Sequence, residues 1–396
     1  VDPGVGIYLD GVYIARTIGQ VLDTADVAQV EILRGPQGTL FGRNTIGGAI
    51  SVTSQKPTPD RIFGSAEITA GSYDRLDISG RVNVPITDNM AASLSLSTRN
   101  RDGYVKNLFP GGADLGDNED RSGRMALSWE PADTVRIDVA GDYSTTNENP
   151  APNVLIGTTP GQGFHGLNNL LSGDPQCLDQ TDAGRFNNFA CYNDQWAVGP
   201  FQTWSDHVSL TPELQSDDRF GIRVRPASEL VTWGFGGTVE IDISDSLTLK
   251  SITAHRRVEN GFWSRDSAHS GNPAHVMANT SNDYEQKQTS QEFQLIGSAF
   301  DDRLNYILGF FWLEEHAEHL DVVELPLNTV FDSGGFIDNT SKALFAQGTY
   351  DISDQLHLTA GLRFTDEDKE FVALSVVGID ANGLVIGLPD CLNNPI

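Results

Sequence analysis

Eleven stretches of this chain alternate apolar and polar residues, and the links between them alternate between tight and long. The stretches read as strands over residues 61–71, 75–85, 90–101, 121–130, 134–146, 229–243, 246–260, 286–299, 303–316, 341–352 and 355–371. In the fifth, Val135, Ile137, Val139 and Tyr143 share one face, and Arg136, Asp138, Asp142 and Ser144 the other. The eleventh sets Leu356, Leu358, Ala360, Leu362 and Phe364 against His357, Thr359, Gly361 and Arg363. Successive side chains of a strand point to opposite faces, so each strand has one apolar and one wet side. A β-sandwich alternates as well, and the links separate the two. Tight turns fall at residues 86–89, 131–133, 245, 300–302 and 353–354, whereas the other links run over 102–120, 147–228, 261–285 and 317–340. The first link, around Gly71 to Asp74, is short although it belongs to the long set. Long loops at one rim and tight turns at the other are the asymmetry of a transmembrane antiparallel β-barrel. Strand length agrees, since about nine to eleven tilted residues cross a bilayer core. The apolar faces carry no charge in mid-strand, where an Arg or Lys would cost roughly 2–4 kcal/mol.

Ahead of these strands lies a compact, glycine-rich segment, Val30 to Val52, VEILRGPQGTLFGRNTIGGAISV. Gly35, Gly38, Gly42, Gly47 and Gly48 let a backbone turn sharply and pack closely in a confined space. Pro36 fixes one of those turns. The lysine and Ser/Thr of a phosphate-binding P-loop are absent from it. Gly6 to Ile14 reads as a hairpin around Asp10-Gly11, Thr17 to Ala25 as a short helical pattern, and Val27 to Leu33 as a strand. The change of character beyond Pro57 divides the chain into residues 1–57, a domain filling the lumen, and 58–396, the wall. The loops of the wall are expected at 102–120, 147–228, 261–285, 317–340 and 372–396.

Charge excludes one class of partner. The 396 residues carry 54 acidic against 26 basic side chains, a formal charge of −28, and nucleic acid demands a basic footprint. No apolar run approaches the roughly 18 residues of a spanning helix. Of three cysteines, Cys177 and Cys191 flank a segment rich in Asn, Phe and Gly, and in an oxidising compartment they could close a small loop. Cys391 has no evident partner. Eleven up-and-down strands starting at the tight-turn rim end at the other rim, and bacterial single-chain barrels have even counts. The chain is therefore expected to be a fragment, with more strands after Ile396. The loop 147–228 is the expected ligand-facing region, with Phe186, Phe189, Tyr192, Trp196 and Trp204 set among amides and acids. That these aromatics only fold the loop on itself is the competing reading. His316 and His319 have HxxH spacing but sit at a strand end, and no metal site is expected. No Ser/His/Asp set lies in a recognisable elbow, and no enzyme activity is expected.

These motifs resemble the TonB-dependent outer-membrane receptors. VGIYLDGVY, Val5 to Tyr13, resembles the hairpin of their plug domain. Val30 to Asn44 followed by Gly47 to Ile50 is similar to their plug signature nearly end to end. Gln291 to Leu295, Ala343 to Gln347 and Gly361 to Phe364 resemble their barrel strands. The resemblance implies a 22-stranded barrel, about eleven strands being present here, with the C-terminal part of a plug in its lumen. It also implies active import of a scarce ligand, powered by TonB and its inner-membrane energising proteins, in contact with outer-membrane lipid and lipopolysaccharide. The TonB-binding box of the family lies upstream of Val1. A ferric siderophore leads among ligands; oligosaccharide, cobalamin, haem and aromatic compounds remain open, as do a passive porin or adhesin and a soluble β-rich enzyme or sugar-binding module. No cofactor is implied. The resemblance further implies that plug arginines, Arg34 and Arg43 here, meet wall glutamates. Glu292 is the candidate for Arg34, because Phe293 and Leu295 face the other way; partners beyond Ile396 are equally open.

Overall fold

The computed structural model describes residues 3–16, 26–108, 112–149, 154, 157, 175–178, 191, 197–203, 228–265, 279–325 and 329–379. The segment Thr17 to Ala25 and the aromatics Phe186, Phe189, Tyr192, Trp196 and Trp204 lie outside the described residues. A small sheet comes first, built from β1 (Val5–Leu9), β2 (Val12–Ile14), β3 (Val27–Arg34) and β4 (Gly48–Ser54) in the order β2-β1-β4-β3. Asp10 and Gly11 make the β1–β2 turn with positive φ, 50° and 83°, which is why an Asp-Gly pair stands there. β1 and β4 run parallel, Val5 beside Gly48 and Leu9 beside Val52.

The wall is one antiparallel sheet. Its strands are β5 (Phe63–Ala70), β6 (Leu76–Thr87), β7 (Met90–Arg101), β9 (Asn118–Ala132), β10 (Val135–Glu148), β12 (Ser228–Ser244), β13 (Leu247–Arg265), β14 (Asn279–Ala299), β15 (Leu304–Leu325), β16 (Thr329–Ser353) and β17 (Leu356–Ile379). Each pairs with its neighbours in sequence order, and β5 and β17 form the two edges. The short strand β8 (Lys106–Asn107), within the β7–β9 link, pairs in parallel with β11 (Gln202–Thr203).

Register lines up the apolar positions. Val135, Ile241, Leu249, Leu295, Leu308, Ala346 and Leu362 form an unbroken row of paired residues across seven strands. Phe293, Phe310, Leu344 and Phe364 form the row beside it. These side chains stand on the outward face, where Leu362 is 77% exposed and Phe364 70%. On β17 the apolar band runs from Leu356 to Phe364, the span of roughly nine to eleven residues that crosses a hydrocarbon core. Above it the same face turns acidic, with Asp366, Asp368 and Glu370.

The last strands outrun the expected ends. β16 has 25 residues and β17 24. Most of residues 317–340, expected as a loop, is strand in β15 and β16, and much of 261–285 is strand in β13 and β14. Residues 372–379, expected at the start of a loop, complete β17. The cause is backbone pairing: once the register is set in the apolar band, each further residue satisfies another N–H and C=O, whatever its side chain. The wall is thus a tall ribbon whose upper part needs no lipid.

The small sheet docks against the inward face. Tyr8, Tyr13, Ala15 and Ala49 pack with Phe311, Leu313, Ala343 and Phe345 of the wall, with Leu40 and Phe41 against them. The opposite face of the small sheet gathers Leu9, Ile14 and Val52. The chain leaving β4 is then stapled to β6. Asn83, fully buried, donates to the carbonyls of Thr58 and Arg61 at 2.9 Å and accepts from the Thr58 amide, while Arg81 donates to the Gln55 carbonyl at 3.1 Å.

The outward rows carry a direct test. Leu362→Arg, in the upper half of the band, is expected to lower stability in a bilayer by about 2–4 kcal/mol. Unfolding titrations of the full-length receptor in lipid vesicles measure it, and Thr359→Arg, on the inward face, is the control with the smaller effect.

Candidate functional site

The glycine-rich segment leaves β3 and returns to β4 as a closed loop. The amide of Gly35 donates to Gly47 O at 3.1 Å and that of Gln37 to Thr45 O at 3.0 Å. Gly48 has φ of +148°, and a Cβ there would run into the Leu33 carbonyl oxygen. Glycine is required at that point because backbone crosses backbone. Gly38, by contrast, has open space around its missing side chain.

The loop tip reaches the wall. Arg363, on the inward face of β17, lies over the rings of Phe345 and Phe311, 5.2 and 5.8 Å from their centroids. Its guanidinium touches Thr39 O and occupies the space a Cβ at Gly42 would need. Beside it Arg43 pairs with Glu367 at 3.1 Å. The Tyr8 hydroxyl donates to Phe41 O at 2.6 Å; burial pushes its pKa upward, so it stays a donor. Asn44 donates to the Tyr13 hydroxyl at 2.7 Å.

Higher on the wall Arg16 meets Glu315. Arg16 Nε donates to Glu315 Oε1 at 2.6 Å, and the carboxylate side chain has no exposed surface. Asn339 donates to the other oxygen at 3.2 Å. Close by, Gln288 donates to Tyr13 O and accepts from the Ala15 amide, at 2.7 and 2.9 Å.

A second set of charges reverses this polarity, with the cation on the wall. Arg124, on β9, donates to Asp10 Oδ2 at 2.5 Å and to Ser54 Oγ at 3.1 Å. Asp10 in turn accepts from the Ser54 amide and hydroxyl. Arg124 also faces Asp142 at 3.5 Å and Asp26 at 3.6 Å. Arg256 takes Asp142 bidentately at 2.9 and 2.8 Å, and Lys56 pairs with Asp138 at 2.6 Å. A cavity of about 300 Å³ lies here between the hairpin tip, the end of β4 and the wall.

The expected pair of Arg34 with Glu292 does not form. Arg34 is exposed on β3, the edge of the small sheet farthest from β2, and it ion-pairs with none of the described residues. Glu292 does face inward, but it accepts a hydrogen bond from Gln294. The arginines that meet wall glutamates are Arg43 and Arg16, the latter not singled out by any motif. Asp10 reads in the sequence as a turn residue only, and its carboxylate proves to be a wall contact. The inward placement of Arg124 and Arg256 follows from alternation; their partners do not. His316 and His319 fall on opposite faces, because three residues along a strand reverses direction. His316 pairs with Asp338 outside, whereas His319 joins Asn282 and Asp321 inside. Among the described residues no group of three His, Cys, Asp or Glu could hold a metal ion. Cys177 and Cys191 are joined by a disulfide.

Comparison with known proteins fits this arrangement of sheet within wall. Residues 2–49 match the model of the TonB-dependent receptor plug domain, and 178–382 that of the TonB-dependent receptor-like β-barrel. The chain belongs to the TonB-dependent receptor family. It is 35% identical over 222 residues to the pesticin receptor of Yersinia enterocolitica, a match covering 53% of this chain and 31% of that protein. To the ferrioxamine B receptor of Salmonella typhimurium (strain LT2) it is 31% identical over 140 residues, 34% of this chain and 18% of that one. The fold superposes on the ferric yersiniabactin uptake receptor of Yersinia pestis with a TM-score of 0.67 at 18% identity, covering 94% of this chain and 52% of the other. The ferripyoverdine receptor of the outer membrane of Pseudomonas aeruginosa gives 0.62 at 15%, covering 94% and 46%. The chain thus spans about half the length of these solved receptors. At such identities the superpositions establish the fold alone.

The buried pair carries a prediction. Arg16→Met strands Glu315 without its cation and is expected to cost about 3–5 kcal/mol in plug docking. Arg16→Met combined with Glu315→Leu should recover most of the loss. Urea titration of the full-length receptor, followed by protease cleavage of the plug, measures both.

Proposed function

We propose that this chain is the plug-and-wall half of a transporter that imports a ferric siderophore across the bacterial outer membrane, energised by TonB and its inner-membrane partner proteins. One observation carries the reading: a folded domain is held by paired charges on the wet face of a wall whose other face is an uninterrupted apolar band. A passive pore has no use for a stopper seated this way. The relatives add weight, being named for ferrioxamine B, pesticin and ferric yersiniabactin. The outward rows suit outer-membrane lipid and lipopolysaccharide.

In this reading the ligand binds above the plug. There the inward side chains of the tall ribbon, among them His319 and Asn282, offer a ring and an amide. The aromatics Phe186, Phe189, Tyr192, Trp196 and Trp204 of the 147–228 segment would face the same vestibule, since ring faces beside amides suit amphipathic chelates. With net charge −28, the chain gives no long-range attraction to a strongly anionic complex. Contact recognition must do that work. The plug arginines and the Arg124 cluster hold the resting seat, and pulling on the plug has to break them. The role is transport, with no catalytic chemistry and no cofactor.

Uptake of ⁵⁵Fe complexed to hydroxamate, catecholate and phenolate siderophores tests this. Cells carry the full-length receptor in a host lacking its own siderophore receptors. Accumulation of at least one complex, abolished by a protonophore, is expected. Accumulation that survives the protonophore means a passive pore, and uptake of cobalamin or an oligosaccharide in place of every iron complex assigns another ligand.

A further inference from the structure

Arg124 is oversubscribed. One of its terminal nitrogens is committed to Asp10 and Ser54, and the other faces Asp142, which Arg256 already binds on both oxygens. Asp26, the residue before β3, is left with the third edge. It lies 3.6 Å from Arg124 Nε, too far to bond, and neither Asp26 oxygen nor Arg124 Nε has a hydrogen-bond partner. The residue is 1% exposed. The other groups facing it are Arg81 on β6, Asp10 of the hairpin and, on β7, the Ser95 hydroxyl, which leans toward the carboxylate without the geometry of a full hydrogen bond. A buried carboxylate without a well-formed hydrogen bond is disfavoured, and a second carboxylate on the same arginine adds repulsion.

We propose that Asp26 is a built-in weak point of the plug's seat, a surplus carboxylate on the wall arginine that keeps the plug releasable. Natural sequences break local rules where function needs a poised state, and stabilising such a site impairs its work. Asp26 fits that description by position. Its backbone carbonyl accepts from the Gln55 amide at 2.7 Å, so it sits where the end of the plug sheet meets the chain leading to the wall. Releasing the plug exposes Asp26 to water and removes a strain that the seated state bears.

The direction of the pH effect follows. Burial raises the Asp26 carboxyl above its ordinary value, with Arg124 and Arg81 pulling it partly back. The seated plug therefore holds that proton more tightly than the released plug does. Seating is strongest when Asp26 is protonated and weakens as pH rises from about 4, the ordinary aspartate value, through the raised one.

Asp26→Asn keeps shape and removes the charge. The test uses the full-length receptor in a planar bilayer, with urea added until the plug leaves and conductance appears. Neither ligand nor TonB is involved, so a failure of the import reading leaves this result untouched, and the reverse also holds. The variant is expected to need more urea at pH 7.5; a tenfold tighter seat reads as an upward shift of roughly 0.5–1 M. Wild type should need less urea at pH 8 than at pH 4, and the variant should lose most of that difference. A variant threshold at or below that of wild type overturns the proposal. If the variant does not assemble, the wild-type profile decides alone, and a flat or rising threshold between pH 4 and 8 overturns it.

Discussion

The structure depends on one constraint: the two faces of a single sheet must meet opposite solvents. The outward rows through Leu308 and Phe310 demand an apolar surrounding, so every charge the strands carry is forced to the inside or to the rims. That crowding of charge on the inner face is what makes a seat for the plug. Asp138, Asp142, Arg124, Arg256, Glu315 and Glu367 are all inward, and each pairs with the small sheet, with a neighbour, or with both.

The seat combines two kinds of contact with different consequences. The apolar part, Tyr8 and Tyr13 against Phe311 and Phe345, fixes where the plug sits and has no sharp threshold. The charged part is all-or-none, because stranding one member of a buried pair costs far more than a lost surface ion pair. Arg16 with Glu315 and Arg124 with Asp10 have opposite polarity, so no uniform shift in potential loosens both. A domain held this way leaves its seat only when specific pairs are separated, which is what the proposed import mechanism would require of it.

Several elements were legible beforehand because they rest on local rules. All eleven wall strands, the β1–β2 hairpin and the faces of Val139, Asp142 and Leu362 follow from period two. The tops of β13 to β17 were not, since nothing in residues 317–340 announces a strand. They pair because neighbours already in register offer free N–H and C=O groups. Arg34 shows the limit of motif reasoning, as its neighbours in the signature matched while its side chain does not reach Glu292. Arg16 was invisible for the complementary reason, lying outside any motif yet meeting a carboxylate 299 positions away.

Alternation, turn chemistry and the glycine-rich signature therefore determined by sequence alone that this chain makes a two-faced wall preceded by a compact plug segment. Those properties depend on neighbours within a few residues. Only the tertiary structure decided which charges meet across the seam, and set Asp26 on an arginine that other carboxylates already hold. Ion pairing depends on distances between residues far apart in the chain, and a repeat of two residues carries no information about that.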